Sequence, residues 1–532
     1  MTVKGNRSTW TSILSPFRYK TYAMIWTATL ISNIGGWMYS SSAGWLMTTL
    51  DSDPLMVSLV QVAASLPMFL FALPAGALAD IIDKRRFLIG AELFIGVACV
   101  AFALGVTLHL ITPKTLLLFI FLIEAGSAAS APAWQSIVPQ LVPNEALGPA
   151  VAMNSVGVNV SRAIGPALGG LLALSMGIAA PFWVNAFSNL GTLGALGWWR
   201  EPAQAHSQLP AEHLVSAVRT GVRHAKNNRN LRATLVRAVG FFLPASCYWA
   251  LLPLVAGKQV GGGAALYGAV LGTIGLSAIA GAFALPALKA RWGTNRLVAA
   301  GCIGTGIALP LFGLAHALAP LFAASVLAGV TWIVVLANLN ISAQVALPEW
   351  VRGRGLAIYV TVFFGTLTVG SVIWGQVARL WGIPTAHYIA SGIAFLAVAV
   401  TWRWQLQTAS GIDLRPSMHW PSPIVSEKLQ NDAGPVLVLT EYHIAVKDRD
   451  AFLEAIVPLS HERGRDGAYA WSIYEDVSKP GRMIEAFYVE SWLEHLRQHN
   501  RVTNADRILE QNVRRFILNE PKTTHLVSAR RG

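Results

Sequence analysis

Residues 76–86 read GALADIIDKRR, a short polar and basic stretch between two long apolar segments. The apolar segments cover about residues 56–78 and 87–110, and each is long enough to cross a bilayer, which takes about 20 mostly apolar residues. Backbone groups in lipid must find their hydrogen bonds within the protein, so both segments are predicted to be helices. The stretch is therefore predicted to be a tight loop at a membrane surface.

The same alternation of apolar and polar segments continues through most of the chain. Of its 532 residues, 54% are hydrophobic and only 13% are charged, whereas soluble proteins have about 25% charged residues. Continuous apolar runs such as 116–123 and 393–400 argue against a β-barrel, whose strands alternate apolar and polar residues. Twelve spanning helices are predicted, at about residues 20–47, 56–78, 87–110, 115–134, 150–174, 179–199, 232–256, 264–288, 297–316, 319–345, 353–378 and 385–406.

The net charge of +13 belongs to the membrane part of the chain. Residues 1–433 contain 26 Lys and Arg against 13 Asp and Glu, while residues 434–532 contain 14 of each sign, so no nucleic-acid partner is predicted. With the N-terminus in the cytoplasm, the loops on that side hold 22 Lys and Arg and the opposite loops hold three. Cytoplasmic loops are enriched in these residues, so both termini are predicted to be cytoplasmic.

Five parts are predicted along the chain. They are an N-terminal six-helix bundle (1–199), a cytoplasmic central loop (200–231), a C-terminal six-helix bundle (232–407), a linker (408–434) and a small cytoplasmic α+β domain (435–532). The two bundles repeat weakly, because Gly165 and Gly170 recur as Gly370 and Gly375 at a constant offset of 205. The predicted fold class is an all-α membrane protein with an appended α+β domain.

The loop at residues 76–86 resembles the signature G-x-L-A-D-R-x-G-R-R/K of the major facilitator superfamily, with Ile81 in place of the usual Arg. The matching residues are Gly76, Leu78, Asp80, Asp83, Lys84, Arg85 and Arg86. The resemblance implies a latch in which Asp80 accepts hydrogen bonds from a helix N-terminus near Arg352 and Arg354, where the helix dipole is positive. The other interpretation is a basic loop that only sets topology.

A second motif lies in the fifth predicted span. Gly165, Pro166, Gly169 and Gly170 form G-P-x-x-G-G, which resembles a motif of exporters in the superfamily. Glycine lets helices approach closely, and proline removes a backbone hydrogen bond and bends the helix. These properties suit a gating helix, although ordinary packing of a glycine-rich helix is the alternative.

Longer stretches are similar to the transmembrane secretion effector group, which includes enterobactin exporters. They are residues 33–38 (NIGGWM), 43–46 (AGWL) and 159–170 (NVSRAIGPALGG). The resemblance covers about residues 10–410 and implies export of a siderophore, drug or other metabolite across the bacterial inner membrane. It implies alternating access with proton antiport and no enzymatic activity. An importer of the same fold and a membrane-tethered monooxygenase remain alternatives.

Charged residues within spans are costly in lipid and are therefore candidates for function. Glu124 is predicted to be the protonatable coupling residue, and Arg162 to bind an anionic substrate or to pair with Glu124. A purely structural Arg–Glu pair is the alternative. Glu92 is predicted to reach the headgroup region. Polar residues predicted to line a central cavity include Asn33, Asn159, Asn338 and Asn340.

The tail from residue 435 has a predicted βαββαβ-like order. Trp471 and the run 490–499 (ESWLEHLRQH) resemble the antibiotic-biosynthesis-monooxygenase-like domains of ferredoxin fold. These domains are often dimeric, so a homodimer through the tail is expected, with a regulatory rather than a catalytic role. His495 and His499 are one helical turn apart and have metal-ligand spacing, but an exposed helix face is predicted. Neither a metal nor a cofactor is assigned.

Overall fold

The computed structural model describes residues 14–81, 83–199, 214–407, 417, 420 and 433–529, without the side chains of residues 76–81, 144, 214–220, 349 and 500. The chain divides into two compact units. The first unit comprises Met1–Ala211, Val236–Asn340 and Tyr359–Gln405. The second unit comprises Glu212–Leu235, Ile341–Ile358 and Leu406–Gly532.

Long helices occupy the positions of the predicted spans to within a few residues. They are α1 (Lys20–Leu50), α2 (Pro54–Ile81), α3 (Lys84–Thr107), α4 (Pro113–Leu141), α5 (Asn144–Met176), α6 (Ala180–Trp198), α8 (Arg229–Leu254), α9 (Ala264–Gly313), α10 (Leu318–Val345), α11 (Arg352–Trp381) and α12 (Ile383–Thr401). One further helix, α7 (Leu214–Asn227), precedes α8. The predicted helical class of the membrane part is confirmed.

Nine helices in the described part of the chain are long and apolar enough to cross a membrane. One of them, the 50-residue α9, covers two predicted spans and contains Gly293 with φ 73° and ψ 163°, a left-handed conformation that glycine adopts without strain. The chain therefore turns at Gly293. Helices α1 and α6 are not among these nine, because their Asn, Ser and Thr side chains lower their mean hydropathy.

Glycines at equivalent positions of the repeat make equivalent contacts. Gly165 on α5 faces α1, where an added Cβ would lie 2.5 Å from Trp37 Cβ. Gly370, its counterpart on α11, faces α8, where an added Cβ would clash with Ser246 Oγ. Helices α1 and α8 begin the two predicted halves, so each half packs its fifth helix on its first through a glycine.

The second glycine pair joins the two halves. Gly170 on α5 lies against the start of α9, where an added Cβ would be 2.6 Å from the Ala264 carbonyl oxygen. Gly375 on α11 lies against α2, where an added Cβ would clash with Ser58 Oγ. Small residues allow such close backbone approach in lipid. The offset of 205 seen in the sequence therefore corresponds to a repeated packing arrangement.

The second unit contains α7, which lies within the predicted central loop. Residues 214–227 read LVSAVRTGVRHAKN, with Val215, Val218 and Val222 at helical spacing, and this apolar periodicity favours a helix. The prediction of a loop is therefore wrong for these residues, and residues 200–213 lie outside the described part. On α7, the Arg223 guanidinium lies 3.3 Å from a Glu494 carboxylate oxygen.

The tail folds into a four-stranded antiparallel sheet. Its strands are β1 (Val436–His443), β2 (Tyr469–Glu475), β3 (Arg482–Val489) and β4 (Lys522–Val527), in the order β2-β3-β1-β4. Its helices are α13 (Arg449–Arg465), α14 (Trp492–Arg501) and α15 (Asn504–Arg514). Strand β4 lies at a sheet edge and pairs with β1. Buried Phe452, Ile456 and Val513 form a core with the sheet residues Tyr442 and Met483.

Candidate functional site

A cavity of about 780 Å³ lies within the first unit. Helices of both predicted halves line it, because α1 to α6 contribute from the first half and α8 to α11 from the second. The lining includes three charged residues and many aromatic and amide side chains: Glu92, Glu124, Arg162, Asn33, Gln61, Asn154, Asn189, Trp37, Trp134, Trp249, Trp332, Tyr39 and Phe363. Cavities of about 300–1,000 Å³ are typical of small-molecule sites.

Glu124 and Arg162 both line the cavity but do not pair. The Arg162 guanidinium lies over the Trp37 indole, 5.3 Å from the ring centroid, a distance at which a cation is attracted to the face of the ring. Its Nε is buried and has no hydrogen-bond partner among the described residues. Glu124, on α4, is half-buried. The structure therefore brings the two predicted residues to one cavity as separate charges.

The predicted asparagines separate into two groups. Asn33 lines the cavity. Asn159, Asn338 and Asn340 lie outside its lining, so their predicted place there is wrong. Asn159 donates to Ser155 O at 2.8 Å, and the fully buried Asn338 donates to Val334 O at 2.8 Å. These side chains point along their own helices because the cavity faces other sides of α5 and α10.

Glu92 is buried in the first unit, where it lines the cavity. It is 7% exposed and accepts hydrogen bonds from Trp134 Nε1 at 3.0 Å and Asn189 Nδ2 at 2.7 Å. A carboxylate in lipid needs such donors. Its partners come from α4 and α6, 42 and 97 positions away, so sequence spacing gave no signal for this cluster.

Aromatic rings form one wall of the cavity. Trp249 and Trp332 meet with centroids 5.2 Å apart, Trp332 and Phe363 at 6.2 Å, and Phe363 and Phe364 at 4.7 Å. All four residues line the cavity, and the pairs are mostly edge-to-face, a favourable arrangement for aromatic quadrupoles. The wall therefore offers apolar faces opposite the charged residues of the first half.

The signature loop anchors α3. Asp83 is the N-cap of α3 and accepts a hydrogen bond from Arg86 N at 2.8 Å. Arg85 donates to Gly197 O at 2.6 Å and Leu196 O at 3.2 Å, which are carbonyls in the last turn of α6 where a cation is favoured. Lys84 begins α3. The side chains of Leu78 and Asp80 are not described, so the latch stays a prediction.

The span-five motif lies where α5 meets its neighbours. An added Cβ at Gly169 would be 2.9 Å from Met38 O on α1. The corresponding distances are shorter at Gly165, which faces α1, and at Gly170, which faces α9. Pro166 lies within α5 and lines the cavity. The motif therefore packs α5 against one helix of each half.

In the second unit, His495 is 1% exposed, so the predicted exposed helix face is wrong. Its Nε2 lies 3.3 Å from His499 Nε2. Burial, followed by the nearby His525 and His499, lowers the pKa of His495 to about 3. Burial, followed by His525 and Arg463, lowers the pKa of His499 to about 4. Trp471 Nε1 donates to the buried Glu485 carboxylate at 2.8 Å, a core hydrogen bond.

A helical membrane unit with a repeated packing pattern and a central cavity lined from both halves defines a membrane transport protein. The chain belongs to the transmembrane secretion effector family, whose model matches residues 11–532. It is therefore a multi-pass membrane protein and a transporter of small molecules.

Relatives and solved structures agree with this assignment. The chain is 22% identical to a staphyloferrin A transporter of Staphylococcus aureus, covering 69% of this chain and 92% of that protein. It is 27% identical to the enterobactin exporter EntS of Escherichia coli, covering 63% and 79%. The nucleoside transporter NupG has a similar structure, with a TM-score of 0.56, 12% identity and coverage of 72% and 98%. A bacterial homologue of the human lysosomal transporter Spinster, inward-facing and unoccupied, has a TM-score of 0.55, 14% identity and coverage of 76% and 100%.

Proposed function

We propose that the protein exports a small metabolite, such as a siderophore, by alternating access coupled to proton entry. The central observation is the cavity of about 780 Å³ that helices of both halves line. Its first-half wall carries Glu124 and Arg162, which form no ion pair among the described residues. The names of two relatives, a staphyloferrin A transporter and an enterobactin exporter, support a siderophore-like cargo.

The architecture proposed for this activity is two six-helix bundles. Helices occur at all twelve predicted spans, with α9 divided at Gly293. The matched packing of Gly165 with Gly370 and of Gly170 with Gly375 supports two related halves. Both termini are proposed to be cytoplasmic, which the charge of the loops supports. The tail is proposed to be a ferredoxin-like domain of regulatory or dimerising function.

The arrangement fits an inward-facing state. On the side of the α1–α2 connection the halves are joined, because Lys258 Nζ donates to Ser52 O at 2.7 Å and Arg379 lies 3.7 Å from Asp53. The cavity extends instead to Tyr22, at the start of α1, and Leu141, at the end of α4. With a cytoplasmic N-terminus, the closed side is the outer one.

Glu124 is proposed to exchange protons during transport, and Arg162 to bind an anionic group of the cargo. Glu124 is reachable from the cavity and is held by no ion pair among the described residues, so protonation does not require breaking a pair. Arg162 lies over Trp37, and its Nε has no hydrogen-bond partner among the described residues. The aromatic wall of α8, α10 and α11 is proposed to pack against ring systems of the cargo.

Transport by purified protein in liposomes tests this proposal. Proteoliposomes would be loaded with a panel of siderophores and other metabolites, and release would be followed by mass spectrometry with and without an imposed pH gradient. We expect at least one compound to move faster when protons flow in the opposite direction. A release rate that does not depend on the pH gradient would exclude proton coupling. Transport only in the inward direction would favour an importer.

A further inference from the structure

Three imidazoles meet on one side of the tail sheet. His495 and His499 lie one turn apart on α14, and His525 lies on the edge strand β4. Each imidazole contributes one ring nitrogen to a group of three nitrogens that lie within 4.8 Å of one another. The rings of His495 and His525 have centroids 4.6 Å apart. The third residue is 26 positions after His499 in the chain, so only folding brings it to this place.

The spacing of the helical pair matches that of two ligands on one ion. The Nε2 atoms of His495 and His499 lie 3.3 Å apart. Two nitrogens each about 2.0–2.1 Å from a tetrahedral ion are separated by about 3.3 Å. The nitrogen of His525 would need to approach by at most about 1.5 Å to complete the set. His525 is half-buried on the edge strand β4.

A hydrogen bond orients the most buried ring. His495 Nδ1 lies 3.2 Å from Gln498 Oε1, and Gln498 is 1% exposed. Since a carbonyl oxygen only accepts, Nδ1 carries the proton and the Nε2 lone pair faces His499. Histidines that bind metals usually donate their second N–H to an oxygen in this way. Gln498 therefore has the position of an outer-sphere partner.

Aromatic side chains surround the cluster. The Trp492 ring lies 5.4 Å from that of His495 and 6.1 Å from that of His525, and the Trp420 ring lies 5.1 Å from that of His499. Arg463, whose guanidinium lies over the Trp420 ring, is paired with Glu485 and Glu510. The cluster is therefore flanked by indole rings, and the nearby cation Arg463 is paired with carboxylates.

We propose that His495, His499 and His525 bind one divalent transition-metal ion, of which zinc is the best fit, with a fourth position open to water. Neutral imidazole suits zinc, copper, nickel and ferrous ions, whereas magnesium and calcium require oxygen ligands that this set lacks. The ion would join α14 to β4 and so fix the edge strand of the sheet to a helix. The proposal of this site does not depend on the proposed transport function.

The experiment measures metal binding by the full-length chain in detergent, purified without a polyhistidine tag and stripped with a chelator. Zinc content after equilibrium dialysis against zinc alone is expected to reach one ion per chain, and Co²⁺ alone is expected to give the visible absorption of a tetrahedral site. His525→Gln, at the half-buried ligand, should weaken binding at least 10-fold. Gln498→Leu should weaken it about 10- to 100-fold while all three imidazoles remain.

His461→Gln is the matched control, because His461 is an exposed histidine of the same domain on α13. It should bind zinc like the unaltered protein. Thermal denaturation separates loss of binding from loss of folding, since zinc should raise the melting temperature of the unaltered chain and of His461→Gln more than that of folded His525→Gln. A folded, unaltered chain that binds no stoichiometric zinc, or a His525→Gln variant that binds it equally, would overturn the proposal.

Discussion

The guanidinium of Arg162 lies over the indole of Trp37, 5.3 Å from the ring centroid, and forms no ion pair with Glu124. Arg162 lies on α5 and Trp37 on the neighbouring α1, and the two helices pack through Gly165. A cation held by a ring keeps its N–H donors available to a ligand, whereas a cation paired with a carboxylate does not. This geometry favours a role in binding over a purely structural pair.

Replacing Arg162 by Gln should therefore weaken transport of an anionic cargo. Hydrogen bonds to a charged group contribute about 1.5–3 kcal/mol, which corresponds to a rise in KM of about 10- to 140-fold. Arg162→Lys, which keeps the charge, should show a smaller rise. The measurement is the KM for release from proteoliposomes. An equal rise for an uncharged cargo would mean that Arg162 shapes the cavity rather than binds an anion.

Glu124→Gln should abolish transport driven by a pH gradient and leave the exchange of labelled for unlabelled cargo intact. The amide keeps the size of the side chain but cannot exchange a proton. Glu145→Gln is the matched control, because Glu145 is an exposed carboxylate in the first turn of α5. Proton-coupled transport that persists in Glu124→Gln at the unaltered rate would remove Glu124 from this role.

Apolar segments were sufficient to place most of the long helices, because a spanning helix needs such a segment whatever its neighbours are. The polar α7 was missed for the same reason. The predicted span at 56–78, for example, lies within the observed α2, Pro54–Ile81. The rotation of each helix about its own axis could not be predicted from the sequence. Asn33 faces the cavity and Asn338 does not, and this difference depends on which helices of the other half pack nearby. The partners of Glu92 and the third imidazole, His525, likewise come from distant segments.

The stability of the second unit should fall in acid because of His224. This residue of α7 is fully buried, and burial, followed by the charges of Arg465, Arg501 and Arg223, lowers its pKa to about 3, with Asp506 opposing. The unfolded chain binds a proton below its usual pKa of about 6.5, whereas the folded chain stays neutral. Stability is therefore complete above about pH 6.5 and declines as the pH falls toward 3.

His224→Gln should remove part of this dependence, since an amide does not titrate. Limited proteolysis of the full-length protein at pH 7.5 and pH 5.0 would measure it, with cleavage sites in the tail mapped by mass spectrometry. We expect the tail of the unaltered protein and of His461→Gln to be cut faster at pH 5.0, and that of His224→Gln to be less affected by pH. Identical pH profiles for all three would exclude His224 as a cause.

Gly170→Ala should destabilise the closed contact between the two halves. The added methyl group would lie 2.6 Å from the Ala264 carbonyl oxygen, and a backbone atom cannot move aside without shifting α9. Such overpacking costs about 1–3 kcal/mol, so the melting temperature in detergent should fall. Gly191→Ala is the matched control, because the site on α6 has open space within 4 Å, and alanine is the better helix former there by about 0.5–1 kcal/mol.

The same variant tests the assignment of the closed side. Helix α5 belongs to one half and α9 to the other, so forcing them apart should favour a cavity that opens outward. Ser40 lines the cavity, and Ser40→Cys in intact cells would report access to a membrane-impermeant maleimide added outside. Labelling should rise when Gly170→Ala is combined with Ser40→Cys and stay low with Gly191→Ala. Equal labelling in both backgrounds would show that the α5–α9 contact does not control outward opening.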